Sequence, residues 1–62
     1  MFGFSKLSGQ WYCRKFPTFR RAETWAGEVA INGDVACLCD DVEYFAEQMG
    51  LEIDDIEMIE PE

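Results

Sequence analysis

The clearest pattern of hydrophobic and polar positions lies in DDVEYFAEQMG, residues 40–50, where Val42, Phe45, Ala46 and Met49 fall at i, i+3, i+4 and i+7. That spacing sets a single apolar stripe along a helix. Asp40 stands at the N-cap position and Glu43 follows three residues later, the order of a capping box. Asp41 and Glu43 in the first turn suit the positive end of the helix dipole, and Gly50 supplies a left-handed residue to end the helix.

Elsewhere the pattern points to strands. GQWYCRKF (9–16) is rich in aromatic residues and is stopped by Pro17, as a strand would be. TWAGEVAI (24–31) alternates, with Trp25, Gly27, Val29 and Ile31 on one face, and is followed by Asn32-Gly33. Asn-Gly is a strong signal for a two-residue type I′ hairpin turn, so DVACLC (34–39) is expected to return against 24–31. The tail LEIDDIEMIEPE (51–62) is read as an edge strand, with a bulge at Asp54-Asp55 that brings Leu51, Ile53, Ile56 and Met58 to one side. A helix-turn-helix with Gly50 in its turn is the competing reading of this segment. The tail is expected to lie beside 9–16, with Arg14 or Lys15 opposite Glu52 or Glu57. Together these elements predict an α+β fold in which a small antiparallel sheet, in the order β-β-β-α-β, carries one helix in a two-layer domain spanning 1–62.

Length limits how much this fold can bury. A 62-residue chain hides only about 60% of the surface that its unfolded form exposes. Its 48% hydrophobic content still marks it as globular rather than disordered. The opening MFGFSKLSG lacks a signal-peptide apolar run, no stretch is long enough to span a bilayer, and three cysteines do not suit a disulfide framework. These features predict a cytoplasmic protein with reduced thiols.

Charge is divided along the chain. Four of the five cations lie in RKFPTFRR, residues 14–21, with Lys6 the fifth, and all thirteen carboxylates follow from Glu23 onward. Five cations neutralise at most five carboxylates, so the net charge of −8 must face solvent or a partner. Glu43, Glu47, Glu52, Asp54, Asp55 and Glu57 form the candidate acidic face, which would steer the protein to a basic surface and imitate nucleic acid there. Seven of the nine aromatics lie in the first 25 residues, more than a small sheet and one helix can cover. Phe2, Phe4, Phe16 and Phe19, with Arg14, Arg20 and Arg21, form a candidate aromatic–basic patch for a protein partner or for self-association.

Catalysis finds little support. There is no His for a triad or a base near neutral pH, and no Ser or Thr sits in a nucleophile setting. Cys37 and Cys39 share a strand face, and Cys13 with Asp40 would complete a metal set, but the spacing is not that of a zinc site and buried thiols are common core residues. No cofactor and no metal are expected. The leading reading is a non-catalytic acidic protein, an inhibitor or adaptor, that docks on a macromolecular partner with a basic surface. One alternative is a single-stranded nucleic-acid binder using Trp11, Arg14, Lys15, Phe19, Arg20 and Arg21, whose mixture of cations and rings suits phosphates and bases. The second is a homo-oligomer in which a basic strand meets an acidic strand of the next copy.

Overall fold

A computed structural model describes residues 1–62. Strands β1 (Phe2–Leu7) and β2 (Gln10–Lys15) are followed by helix α1 (Phe19–Ile31), strand β3 (Val35–Cys39), helix α2 (Val42–Met49), a 3₁₀ turn (Ile53–Asp55) and strand β4 (Ile56–Met58). The result is a small α+β domain built on one four-stranded sheet, in the order β3-β1-β2-β4. β1 runs antiparallel to both neighbours, and β4 lies parallel to β2, so the sheet is mixed rather than purely antiparallel. The terminal strand does lie beside 9–16, but Tyr12, not Arg14 or Lys15, stands opposite Glu57.

Two turns trade places relative to the sequence expectation. The hairpin forms at Ser8-Gly9, whose φ angles of 52° and 83° are both positive, between the paired residues Leu7 and Gln10. A type I′ turn requires those angles. Asn32, with φ −78°, does not meet that requirement; it caps α1 instead. Gly33 takes the left-handed conformation and donates its N–H to the Ala30 carbonyl at 2.9 Å, while Asp34 donates to Val29 at 3.2 Å. This is the bond pair of a Schellman helix stop.

Residues 24–31 are therefore helical, a correction to the expected strand. Their alternation hid a helical stripe, because Ala22, Trp25, Ala26 and Val29 also fall at i, i+3, i+4 and i+7. Thr18 starts the helix by accepting a hydrogen bond from the Arg21 N–H at 3.2 Å. Ile31, counted on the buried strand face, is 86% exposed. The segment 40–50 is helical as expected, with its cap one residue later. Asp41, not Asp40, accepts from the backbone of Glu43 at 2.9 Å and of Tyr44 at 3.4 Å. Gly50 is left-handed, φ 71°.

The helices lie on opposite faces of the sheet, so a helix covers each side where one helix was expected. The path β2–α1–β3 steps across β1 to one edge, and β3–α2–β4 crosses back to the other. Crossovers of the same hand that travel in opposite directions must use opposite faces. β1 shows the result in two consecutive residues. Phe4, fully buried, stacks on Phe45 of α2 with ring centroids 3.8 Å apart and planes 10° from parallel. Gly3 points the other way, toward Trp25 of α1.

The α2 side holds the main core of Phe4, Trp11, Cys13, Phe45, Ala46 and Ile56, with Phe2, Cys37, Cys39, Val42 and Leu51 packed against it. In the tail a 3₁₀ turn replaces the expected bulge. It delivers Ile56 to the core but leaves Ile53 and Met58 about half exposed.

A side chain at position 3 has nowhere to go. An added Cβ would sit 2.5 Å from Trp25 Cζ3 and 2.9 Å from Phe16 Cε2. Gly3→Ala is predicted to destabilise the fold by about 1–3 kcal/mol, the usual cost of overpacking. Urea unfolding of the two proteins checks this, and a loss below about 0.5 kcal/mol would contradict the close approach of α1 to β1.

Candidate functional site

α2 and the 3₁₀ turn that follows it lie in contact. Glu43, Glu47, Glu52 and Asp54 are all exposed there. Asp55 is also exposed, but its carboxylate accepts the Glu52 N–H at 3.0 Å and is tied into the turn. Glu57 departs from the group. It lies between Ile56 and Met58, opposite Tyr12, so it projects to the α1 side of the sheet. Four of the six candidate acidic residues are therefore exposed on two adjoining elements, one is tied into the turn, and one lies on the α1 side of the sheet.

The aromatic–basic patch does not form as one surface. Phe4 is fully buried and Phe16 is 2% exposed, so neither ring is available to a partner. The N-terminal arm that carries Phe2 and Phe4 is itself the second strand from one edge of the sheet, and it covers its own rings. Phe2 is half-buried on the α2 side, whereas Arg14 faces α1. Phe19 is 53% exposed, and Arg20 and Arg21 are exposed beside it. Trp11, a stacking candidate in the nucleic-acid reading, is buried against the edge of Phe45, with Lys6 Nζ 5.8 Å from its ring centre. Of the rings interleaved with cations in 11–21, Phe19 alone is largely open.

Two of the arginines do meet. Arg14 of β2 and Arg21 of α1 line a cleft of about 200 Å3 together with Thr24, Trp25, Glu28 and Glu62. Arg21 pairs with the Glu62 carboxylate, and Arg14 Nε donates to the Glu60 carbonyl at 3.0 Å. The hydrogen bond and charge of Glu62 raise the Arg21 pKa further above its ordinary value. Trp25, Thr24, Glu28 and Glu62 were not among the sequence candidates. Their signal is the helical spacing Arg21, Thr24, Trp25, Glu28, which is invisible while 24–31 is taken for a strand.

The cysteines do not converge. β1 lies between Cys13 on β2 and Cys37 on β3, a separation of about 9–10 Å at the usual strand spacing. No three Cys, Asp or Glu side chains gather in the arrangement of a metal site. Cys39 donates its thiol to the Asp41 carbonyl at 3.3 Å. Burial among apolar side chains pushes the Cys13 thiol up to about 11.

No family profile, curated protein or solved structure matches the chain. No helix is long and apolar enough to cross a membrane.

The Cys13 environment sets a pH dependence. Between the ordinary thiol value of 9.0 and about 11 the unfolded chain ionises Cys13 while the folded chain keeps it protonated. The stabilisation is therefore fully present below pH 9 and is lost as pH rises through 11. Urea midpoints measured from pH 8 to 11 should fall, and Cys13→Ala should flatten part of that fall. An identical slope in the variant would contradict the assignment. Alkylation at pH 8 is expected at the half-buried Cys37 and Cys39 well before Cys13.

Proposed function

We propose that this chain is a non-catalytic interaction protein of the cytoplasm that docks through its acidic α2 face on a basic surface of another macromolecule, as an inhibitor or adaptor. One observation carries the reading. Of thirteen carboxylates a single one is ion-paired, which leaves twelve without a cationic partner. Glu43, Glu47, Glu52 and Asp54 among them are exposed on adjoining elements. Glu43 and Glu47, at i and i+4 on α2, repel each other, and the fold pairs neither with a cation. A basic partner would relieve the repulsion and would be drawn in faster by the field. A row of carboxylates at this density also resembles a run of phosphates, so a groove built for nucleic acid is a fitting target.

The geometry weighs against the single-strand reading, because the rings needed for stacking are mostly inside. A nucleic-acid contact through 14–21 would rest on Phe19 and four cations, two of which are already held by the tail.

The test is affinity capture from the protein's own cell lysate, with and without nuclease, eluted in salt steps. Wild type should retain a basic protein after nuclease treatment and release it at moderate salt, as screened electrostatic contacts do. Glu43→Lys, Glu47→Lys and Asp54→Lys together should cut that retention at least about tenfold, whereas Arg20→Gln should not. Retention that disappears with nuclease, or that survives the triple reversal, would overturn the proposal.

A further inference from the structure

Beyond β4 the chain continues along β2. Ile59 donates its N–H to the Cys13 carbonyl at 2.9 Å, and Glu62 donates to the Lys15 carbonyl at 3.1 Å. Between these two bonds the Glu60 carbonyl accepts from Arg14, and the Glu62 carboxylate then accepts from Arg21. The segment Ile59–Glu62 is thus held along β2, three of its residues against two of the strand, by two main-chain bonds and two guanidinium groups. Protein domains that recognise extended peptides by strand addition combine main-chain bonding with side-chain pockets in the same way.

The strength of this contact is low. The Arg21 side chain is 62% exposed and that of Glu62 is 30% exposed. Exposed ion pairs shift an equilibrium by no more than about fivefold. The attachment is favoured chiefly because the tail is tethered, which supplies an effective concentration on the order of millimolar. Nothing beyond residue 58 is fully buried, so release of the tail would leave the core intact.

We propose that the cleft between α1 and β2 is a recognition site for an acidic peptide laid along β2, and that Ile59–Glu62 is its built-in occupant, displaced when a partner supplies a similar segment. Arg14 reads a main-chain carbonyl of the ligand, Arg21 reads one carboxylate, and Thr24 and Trp25 wall the cleft. Glu28 supplies the specificity. It lies in the same lining, where its negative charge opposes a dianion such as phosphate more strongly than a single carboxylate. The site is separate from the acidic α2 face and does not depend on it.

The experiment is a titration of the full-length chain, carrying Glu62→Gln, with a capped tetrapeptide of sequence Ile-Glu-Pro-Glu at low salt. NMR follows the Arg14 and Arg21 Nε–H signals and the Trp25 indole N–H. Saturable shifts at these three groups are expected, with binding about two- to fivefold tighter than in wild type because the competing tail has lost its ion pair. Adding Arg21→Gln should weaken binding about two- to fivefold, and the remaining amide spectrum of each variant reports that the fold persists. Absence of saturable shifts at low-millimolar peptide would overturn the proposal. So would equal binding after Arg21→Gln, or inorganic phosphate occupying the cleft as tightly as the peptide.

Discussion

The structure depends on the dipeptide Gly3-Phe4. Successive residues of a strand point to opposite faces, and in β1 these two carry the two helices. Phe4 stacks on Phe45 and holds α2, and the bare Gly3 lets Trp25 and Phe16 close over the sheet and hold α1. A stacked aromatic pair adds about 0.5–1.5 kcal/mol beyond the area it buries. In a chain with ten buried residues out of 62, that is a large share of the margin. The crossover geometry follows from the same place, because β1 is the strand that α1 must pass in order to deliver β3 to the edge.

How much of this was legible in the sequence depends on whether one periodicity dominated a segment. In 42–49 a single stripe, an acidic cap and a glycine stop agree, and the helix is where they put it, with the cap moved by one residue because two adjacent aspartates compete for the role. In 24–31 two periodicities fit equally well. Asn32-Gly33 then tipped the choice toward a hairpin, although glycine after a helix and glycine in a type I′ turn use the same left-handed conformation. The true hairpin signal, Ser8-Gly9, lay between a strand that was recognised and an arm that was not. With no element assigned to residues 1–8, the rings of Phe2 and Phe4 look uncovered, which puts a half-buried and a fully buried residue in the candidate patch. The cleft stayed hidden for a related reason: it joins residues 14, 21, 25 and 62, and only the helical reading of α1 aligns Arg21 with Trp25.

Segregation of charge along the chain takes a definite form in space. Arg14 of β2 and Arg21 of α1 line one cleft on the α1 side of the sheet, where the tail holds both. The carboxylates of α2 and the 3₁₀ turn remain open on the other side of the sheet. Neutralisation is therefore local and slight, and most of the negative charge is left facing outward. A single-strand nucleic-acid surface needs rings beside its cations, and here Trp11 and Phe16 have gone to the interior, leaving Phe19 as the one open ring beside them. An acidic docking surface needs only a rigid element to present it, and α2, anchored by Phe45 and Ala46, is such an element.

The proposed docking surface is α2 and the turn after it. Amide hydrogen exchange of the chain alone and in complex with the basic protein it captures tests this most directly. The account predicts slowed exchange across residues 42–55 and little change in 14–21. Protection confined to 14–21, with 42–55 exchanging as in the free chain, would contradict it.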